Sequence, residues 1–182
     1  MKKIGLCTHL SQTDEWAFNF ALNLVRKKNW QLTICHWLNS PYNLRRDMVY
    51  PSLNEDGEPQ PVTPKLLTKL ELELRQHFEP KLGNFTNVAF KLCEGMYQVE
   101  LVRCFRQNLL DLVVVGYQQE QITSNEQPLE EFAASLNYPL IIVGPDDANH
   151  FMLNQAAQSW LDELGLPDES WQSLQAAVPA HG

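Results

Sequence analysis

The side chains able to do chemistry gather at the ends of short apolar runs. Cys7 and His9 stand two apart in residues 3–10, so as strand residues they face one side of a sheet. Cys35 and His36 come near the end of residues 31–38, and Cys93 ends residues 87–93. Thiolates and imidazoles are the tetrahedral ligands of zinc, so a metal or thiol sensor is one reading. None of the short zinc spacings is present. Cysteines also pack as small buried hydrophobes, and reduced thiols in a cytosolic core, with no metal, are the simpler account. His9 and His36, at strand ends, could contact an anion or tune binding with pH. Thr8, Ser11 and Asp14 suggest a nucleophile and its base, or more simply the caps of a following helix. Gly116 closes Leu112–Gly116, and a strand ending in glycine before a helix is a usual phosphate site. The residues after it, Tyr117-Gln118-Gln119-Glu120, are too bulky for a phosphate cradle. Trp37 and Tyr117 offer flat rings for stacking, or plain rim packing. Thr8, His9, His36, Trp37, Gly116 and Tyr117 are therefore the candidate ligand-binding residues, and no catalytic residue is assigned. No Walker loop, dinucleotide fingerprint, nucleophile elbow or His-Glu zinc motif occurs.

The elements that must position these residues follow from periodicity. Strands are expected at 3–10, 31–38, 87–93, 112–115 and 140–143. Helices are expected at 14–28, 64–82, 98–108 and 126–136. Pro64 suits the first helical position and Gly83 the stop after it. In the third helix Val99, Val102 and Phe105 are expected inward. Asp111 reads as a turn residue before a buried strand, and Glu130-Glu131 as an exposed helix start. Strand–helix alternation through the first ~145 residues implies an open five-stranded parallel sheet with helices on both faces, an α/β sandwich. Such sheets bind ligands beyond the carboxyl ends of their strands.

Two segments depart from this rhythm. Residues 41–63 hold prolines, a glycine and many polar groups, and read as a long loop, either folded over a site through Tyr42, Met48 and Tyr50 or a plain surface insertion. Residues 146–182 form an extension to the 1–145 domain. A helix is expected at 151–164, ended by Gly165, with a shorter one after Pro167. Trp160 and Trp171 must dock, on the chain's own sheet edge or on a second subunit, and both remain open here.

The chain has 182 residues and a formal charge of −8, from 22 acidic and 14 basic side chains. That balance argues against nonspecific nucleic-acid binding, which needs a positive footprint. No apolar run reaches membrane-spanning length. Met1-Lys2-Lys3 leads into a strand-like segment and not an apolar leader core, which gives a cytoplasmic location as the expectation.

Three segments then carry a resemblance to the universal stress protein family. They are residues 3–11 with the alanine-containing helix after them, residues 32–37 with their histidine near the strand end, and the run from Gly95 through Val99-Glu100-Leu101 to Asp111 and Gly116. Tyr138-Pro139 before Leu140–Val143 resembles the family's last strand, so the likeness covers about residues 2–145. It implies a nucleotide-binding-like fold, a stress-response or regulatory role, and a homodimer through the edge of Leu140, Ile141, Ile142 and Val143. ATP-binding members carry a first-strand aspartate and a glycine-rich loop after the fourth strand. Here His9 stands at the aspartate position, Gln119 stands where the second glycine would be, and no glycine-serine pair follows. The resemblance thus implies a member that does not hold ATP in the usual mode. No cofactor is expected, and ATP or AMP is the class it leaves open. A non-enzymatic binding protein for a small molecule is the expectation. The alternative is a nucleotide- or small-molecule-handling enzyme using the crevice at the carboxyl ends of strands 1, 2 and 4.

Overall fold

The computed structural model describes residues 1–8, 12–37, 51–53, 59–61, 63–93, 97–117 and 127–175. His9, Ser11, Tyr42, Met48 and Tyr50 lie outside the described residues. The strands are β1 (Lys3–Thr8), β2 (Gln31–Trp37), β3 (Pro51–Leu53), β4 (Pro59–Pro61), β5 (Val88–Cys93), β6 (Leu112–Gly116), β7 (Leu140–Val143), β8 (Phe151–Leu153) and β9 (Trp171–Ser173). The helices are α1 (Gln12–Lys28), α2 (Pro64–Leu82), α3 (Tyr97–Arg106), α4 (Leu129–Ser135), α5 (Gln155–Gln158) and α6 (Leu161–Leu164).

A seven-stranded sheet runs in the order β5-β2-β1-β6-β7-β8-β9, and β3 and β4 form a separate antiparallel hairpin. The first five strands of the main sheet are parallel neighbours, as the alternation of elements requires. Their side chains alternate between two apolar faces. Ile4, Leu6, Leu32, Ile34, Leu112 and Val114 pack under α1 and α2 with Phe18, Ala21, Val25, Leu74 and Phe78. Cys7, Cys35, Val113, Val115, Leu140 and Ile142 pack under α3 and α4 with Leu101, Cys104, Phe105 and Phe132. Strands buried on both faces read as continuous apolar runs, which is why Leu112–Gly116 and Leu140–Val143 stand out in the sequence.

The helix ends follow their chemistry. Thr63 caps α2 by accepting from Leu66 N at 3.2 Å, and Pro64 occupies the first turn. Asp111 ties β1 to β6. Its carboxylate accepts from Lys3 N at 2.7 Å, and its own N–H donates to Lys3 O at 2.8 Å. This is the turn role expected of it. In α3 Phe105 is buried as expected and Val102 packs partly buried against the same cluster, but Val99 is 57% exposed, and Leu101 and Cys104 take the inward positions.

Among its described residues the extension is not one helix over 151–164 but two strands with short helical turns between them. Phe151–Leu153 is a strand, antiparallel to β7, and Trp171–Ser173 adds beyond it, parallel to β8. Asn154 ends the strand and caps the short α5 by accepting from Ala157 N. Gly165, with φ 63°, ends α6 in the left-handed conformation that glycine adopts without strain. Trp160 meets Trp30 edge-on at 5.8 Å with the Lys2 ammonium 3.9 Å over its ring, and Trp171 packs against the α1 side of the core. Both tryptophans therefore dock on their own chain. The β7 edge expected to receive a second copy is already occupied by β8, and Leu140, Ile141, Ile142 and Val143 are fully buried.

Candidate functional site

The chain passes from β1 to β2 on one side and later enters β6, from β5, on the other, so the strand order reverses at β1; sheets of this kind bind ligands beyond the carboxyl ends of the strands at that point. Strand parity divides the candidates there. Thr8 and His36 are register partners on the α1 side. Gly116 faces the same way, toward the first turn of α1. Trp37, 3% exposed, lies in the core cluster under α3, and Tyr117 packs against that same cluster. Trp37 thus belongs to the core and not to a stacking platform on the α1 side.

On the α1 side a hydrogen-bonded cluster forms. His36 Nδ1 lies 3.0 Å from the Thr8 carbonyl oxygen. A carbonyl only accepts, so Nδ1 carries the proton, and a neutral ring keeps Nε2 as an acceptor. Burial pushes the imidazole below its ordinary pKa, against opposing pulls from the Thr8 carbonyl and the Asp14 carboxylate. The Thr8 hydroxyl, fully buried, donates to Asp14 Oδ2 at 3.4 Å, and Asp14 is itself 2% exposed. Asp14 is the residue that sequence reasoning undervalued. An acid in the first turn of a helix ordinarily caps it or complements its dipole in solvent, and nothing in the local pattern reveals that this one is enclosed.

Gly116 has a packing reason to be glycine. A Cβ there would lie 2.5 Å from the Thr13 carbonyl carbon, 2.6 Å from its oxygen and 2.8 Å from Asp14 N. The α1 backbone therefore rests directly on the end of β6. Thr13 Oγ1 donates to Tyr117 O at 2.9 Å, and Tyr117 N donates to Val143 O at 2.8 Å. These bonds lock α1, β6 and β7 together at the crevice.

The four cysteines are buried, unbridged and confined to the α3 side of the sheet. Cys7 and Cys35 are register partners. A hydrogen bond between Cys35 and Cys93 raises the first thiol, with burial adding to it, and lowers the second, which Lys91 also favours as thiolate. Lys91 Nζ is 3.6 Å from Cys104 Sγ, but burial outweighs it and raises that thiol. Among the described residues no three His, Cys, Asp or Glu side chains stand together as a metal site. No helix among them is long and apolar enough to cross a membrane.

No family model matches the chain, and no curated protein does. Solved structures similar to it include the universal stress protein UspA from Lactobacillus plantarum. It is 13% identical over 96% of this chain and 97% of that one, with a TM-score of 0.45. A universal stress family protein from Burkholderia pseudomallei is 18% identical over 63% of this chain and 80% of its own, with a TM-score of 0.40. One from Arabidopsis thaliana, solved with AMP bound, is 11% identical over 100% and 97%, with a TM-score of 0.38. Strand order and pairing make the chain a mostly parallel α/β sandwich whose order reverses between β1 and β6.

Proposed function

We propose that this chain is a universal-stress-like binding protein of the regulatory kind, whose crevice takes a small neutral or cationic hydrogen-bond donor and not ATP in the family's usual mode. The observation that carries this is the Asp14 carboxylate, enclosed beside Thr8 at the crevice and felt by His36. A phosphate placed there would meet a carboxylate in a poorly screened setting. The His36 ring, with Nδ1–H committed to the Thr8 carbonyl, presents Nε2 as an acceptor. Tyr117-Gln118-Gln119-Glu120 in place of a glycine loop points the same way. Any pairing of two copies must use a surface other than the Leu140–Val143 edge, which β8 covers.

The test is thermal unfolding with ATP, with AMP and without ligand, together with mass spectrometry of molecules that copurify. A ligand at a hundred times its Kd stabilises the fold by about 2.7 kcal/mol, so binding is readily seen. No shift is expected with either nucleotide. A clear ATP-dependent rise in Tm would overturn the proposal.

A further inference from the structure

On the other side of the sheet, α3 carries two stripes. Leu101, Cys104 and Phe105 face the core. Val99, Val102, Arg103 and Arg106, spaced as neighbours on one helix face, line an open groove with Gln98 and with Phe132 of α4. The groove encloses about 500 Å³, within the usual range of small-molecule sites. Its composition changes along its length. At the N-terminal end of α3 the lining is Val99 and Val102 over Phe132, and at the C-terminal end it is two guanidinium groups. Gln98 fixes the apolar end by bonding across to Gln127: its Nε2 donates to Gln127 O at 2.7 Å, and its Oε1 accepts from Gln127 N at 3.3 Å.

The charges are unusual for this chain. In a protein with a net charge of −8, two arginines stand at one mouth. Among the described residues Arg103 pairs with Glu100 on its own helix, at 3.6 Å. Arg106 has no ion pair among the described residues. Glu130 and Glu131 of α4 are exposed and do not line the groove. The helix dipole favours basic groups in a last turn, but it does not explain an adjoining valine, Val99, left 57% in water.

We propose that the α3–α4 groove binds an anionic amphiphile, a medium-chain carboxylate, with its chain over Val99, Val102 and Phe132 and its head at Arg103 and Arg106. The ligand follows from charge complementarity: Val99, Val102 and Phe132 offer apolar contact, and two guanidinium forks beside them suit a carboxylate. It is distinct from the crevice of β1, β2 and β6 and does not depend on what binds there.

Calorimetric titration of the full chain with hexanoate, octanoate, decanoate and decanol tests it. Affinity is expected to rise by up to about fourfold for each added methylene, and decanoate to bind about fivefold more tightly than decanol at low salt. The Arg103→Gln/Arg106→Gln pair should abolish the preference for decanoate over decanol but keep the dependence on chain length. Val99→Glu, at an exposed position that folding tolerates, should abolish both. A flat series with the unaltered chain overturns the proposal without reference to any variant. So does a carboxylate preference that survives the double substitution. Sedimentation without ligand, in which Val99→Glu turned a dimer into a monomer, would give the groove to a second copy and overturn it as well.

Discussion

Replacing Gly116 by alanine separates two reasons for a glycine at the end of β6. If the position exists for a phosphate, the free protein has no need of it. If it exists for α1, the substitution harms the free protein. Gly116 is not among the residues with positive φ, so alanine meets no backbone penalty of that kind. The whole effect comes from contact. The added methyl lies 2.5–2.8 Å from three backbone atoms of Thr13 and Asp14, against ordinary carbon contacts of about 3.5–4 Å. Backbone in a first helical turn cannot rotate away as a side chain does, so α1 must move by about 1 Å. Overpacking of this kind costs about 1–3 kcal/mol. The same shift strains the Thr13–Tyr117 hydrogen bond, adding about 1 kcal/mol. The expected loss is about 3 kcal/mol, which moves the midpoint of urea unfolding down by about 1–2 M. Tryptophan fluorescence and far-UV circular dichroism should report the same midpoint. A variant within about 0.5 kcal/mol of the parent would refute the packing explanation and return Gly116 to a ligand.

Asn154 is the other buried polar anchor. Its Oδ1 accepts from Leu140 N and Ala157 N, and its Nδ2 donates to the carbonyls of Ala133, Leu136 and Tyr138. Asn154→Ala should cost about 4 kcal/mol and lower Tm by roughly 8–16 °C; a fall under about 2 °C would show the network to be dispensable. His36 yields a pH prediction with a definite sign. Its folded pKa lies below the unfolded value of 6.5, so its contribution is complete above pH 6.5. It is lost as pH falls toward the folded value, because the unfolded chain takes the proton first. Denaturation midpoints from pH 7.5 to 5 should therefore fall less steeply in His36→Asn than in the parent, and equal slopes would remove His36 from the account.

The parallel sheet was legible because strands buried on both faces leave unbroken apolar runs, and because Pro64 and Gly83 punctuate α2 where the structure ends it. The C-terminal extension was not. Leu153, Ala157, Trp160, Leu161 and Leu164 fit a helical stripe, yet Leu153 lies in β8, since the open edge of β7 makes a strand more favourable there. Asn154, a good N-cap, was the local signal that divided the segment. In α3 the face of Val99, Val102 and Phe105 and the face of Leu101, Cys104 and Phe105 overlap, and only the position of the sheet turns Val99 outward. At the candidate site, the strand ends pointed to Thr8 and His36, which the sheet sets side by side. Register and parity, which local sequence does not contain, set Trp37 and Tyr117 on the opposite face from them.

That division by parity has a chemical consequence. The α1 side of the crevice ends in groups that accept hydrogen bonds, with a carboxylate enclosed behind them: the His36 ring nitrogen and Asp14. The α3 side, farther out, ends in guanidinium groups beside exposed valine. Between them lies a sheet whose residues are buried on both faces, so neither set of charges screens or satisfies the other across it. On the two proposals above, an anion is disfavoured at the first place and favoured at the second, and a hydrogen-bond donor the reverse. The glycine at the end of β6 takes part in this sorting: having no side chain, it admits the first turn of α1 and so lets Asp14 lie enclosed against the carboxyl end of the strand.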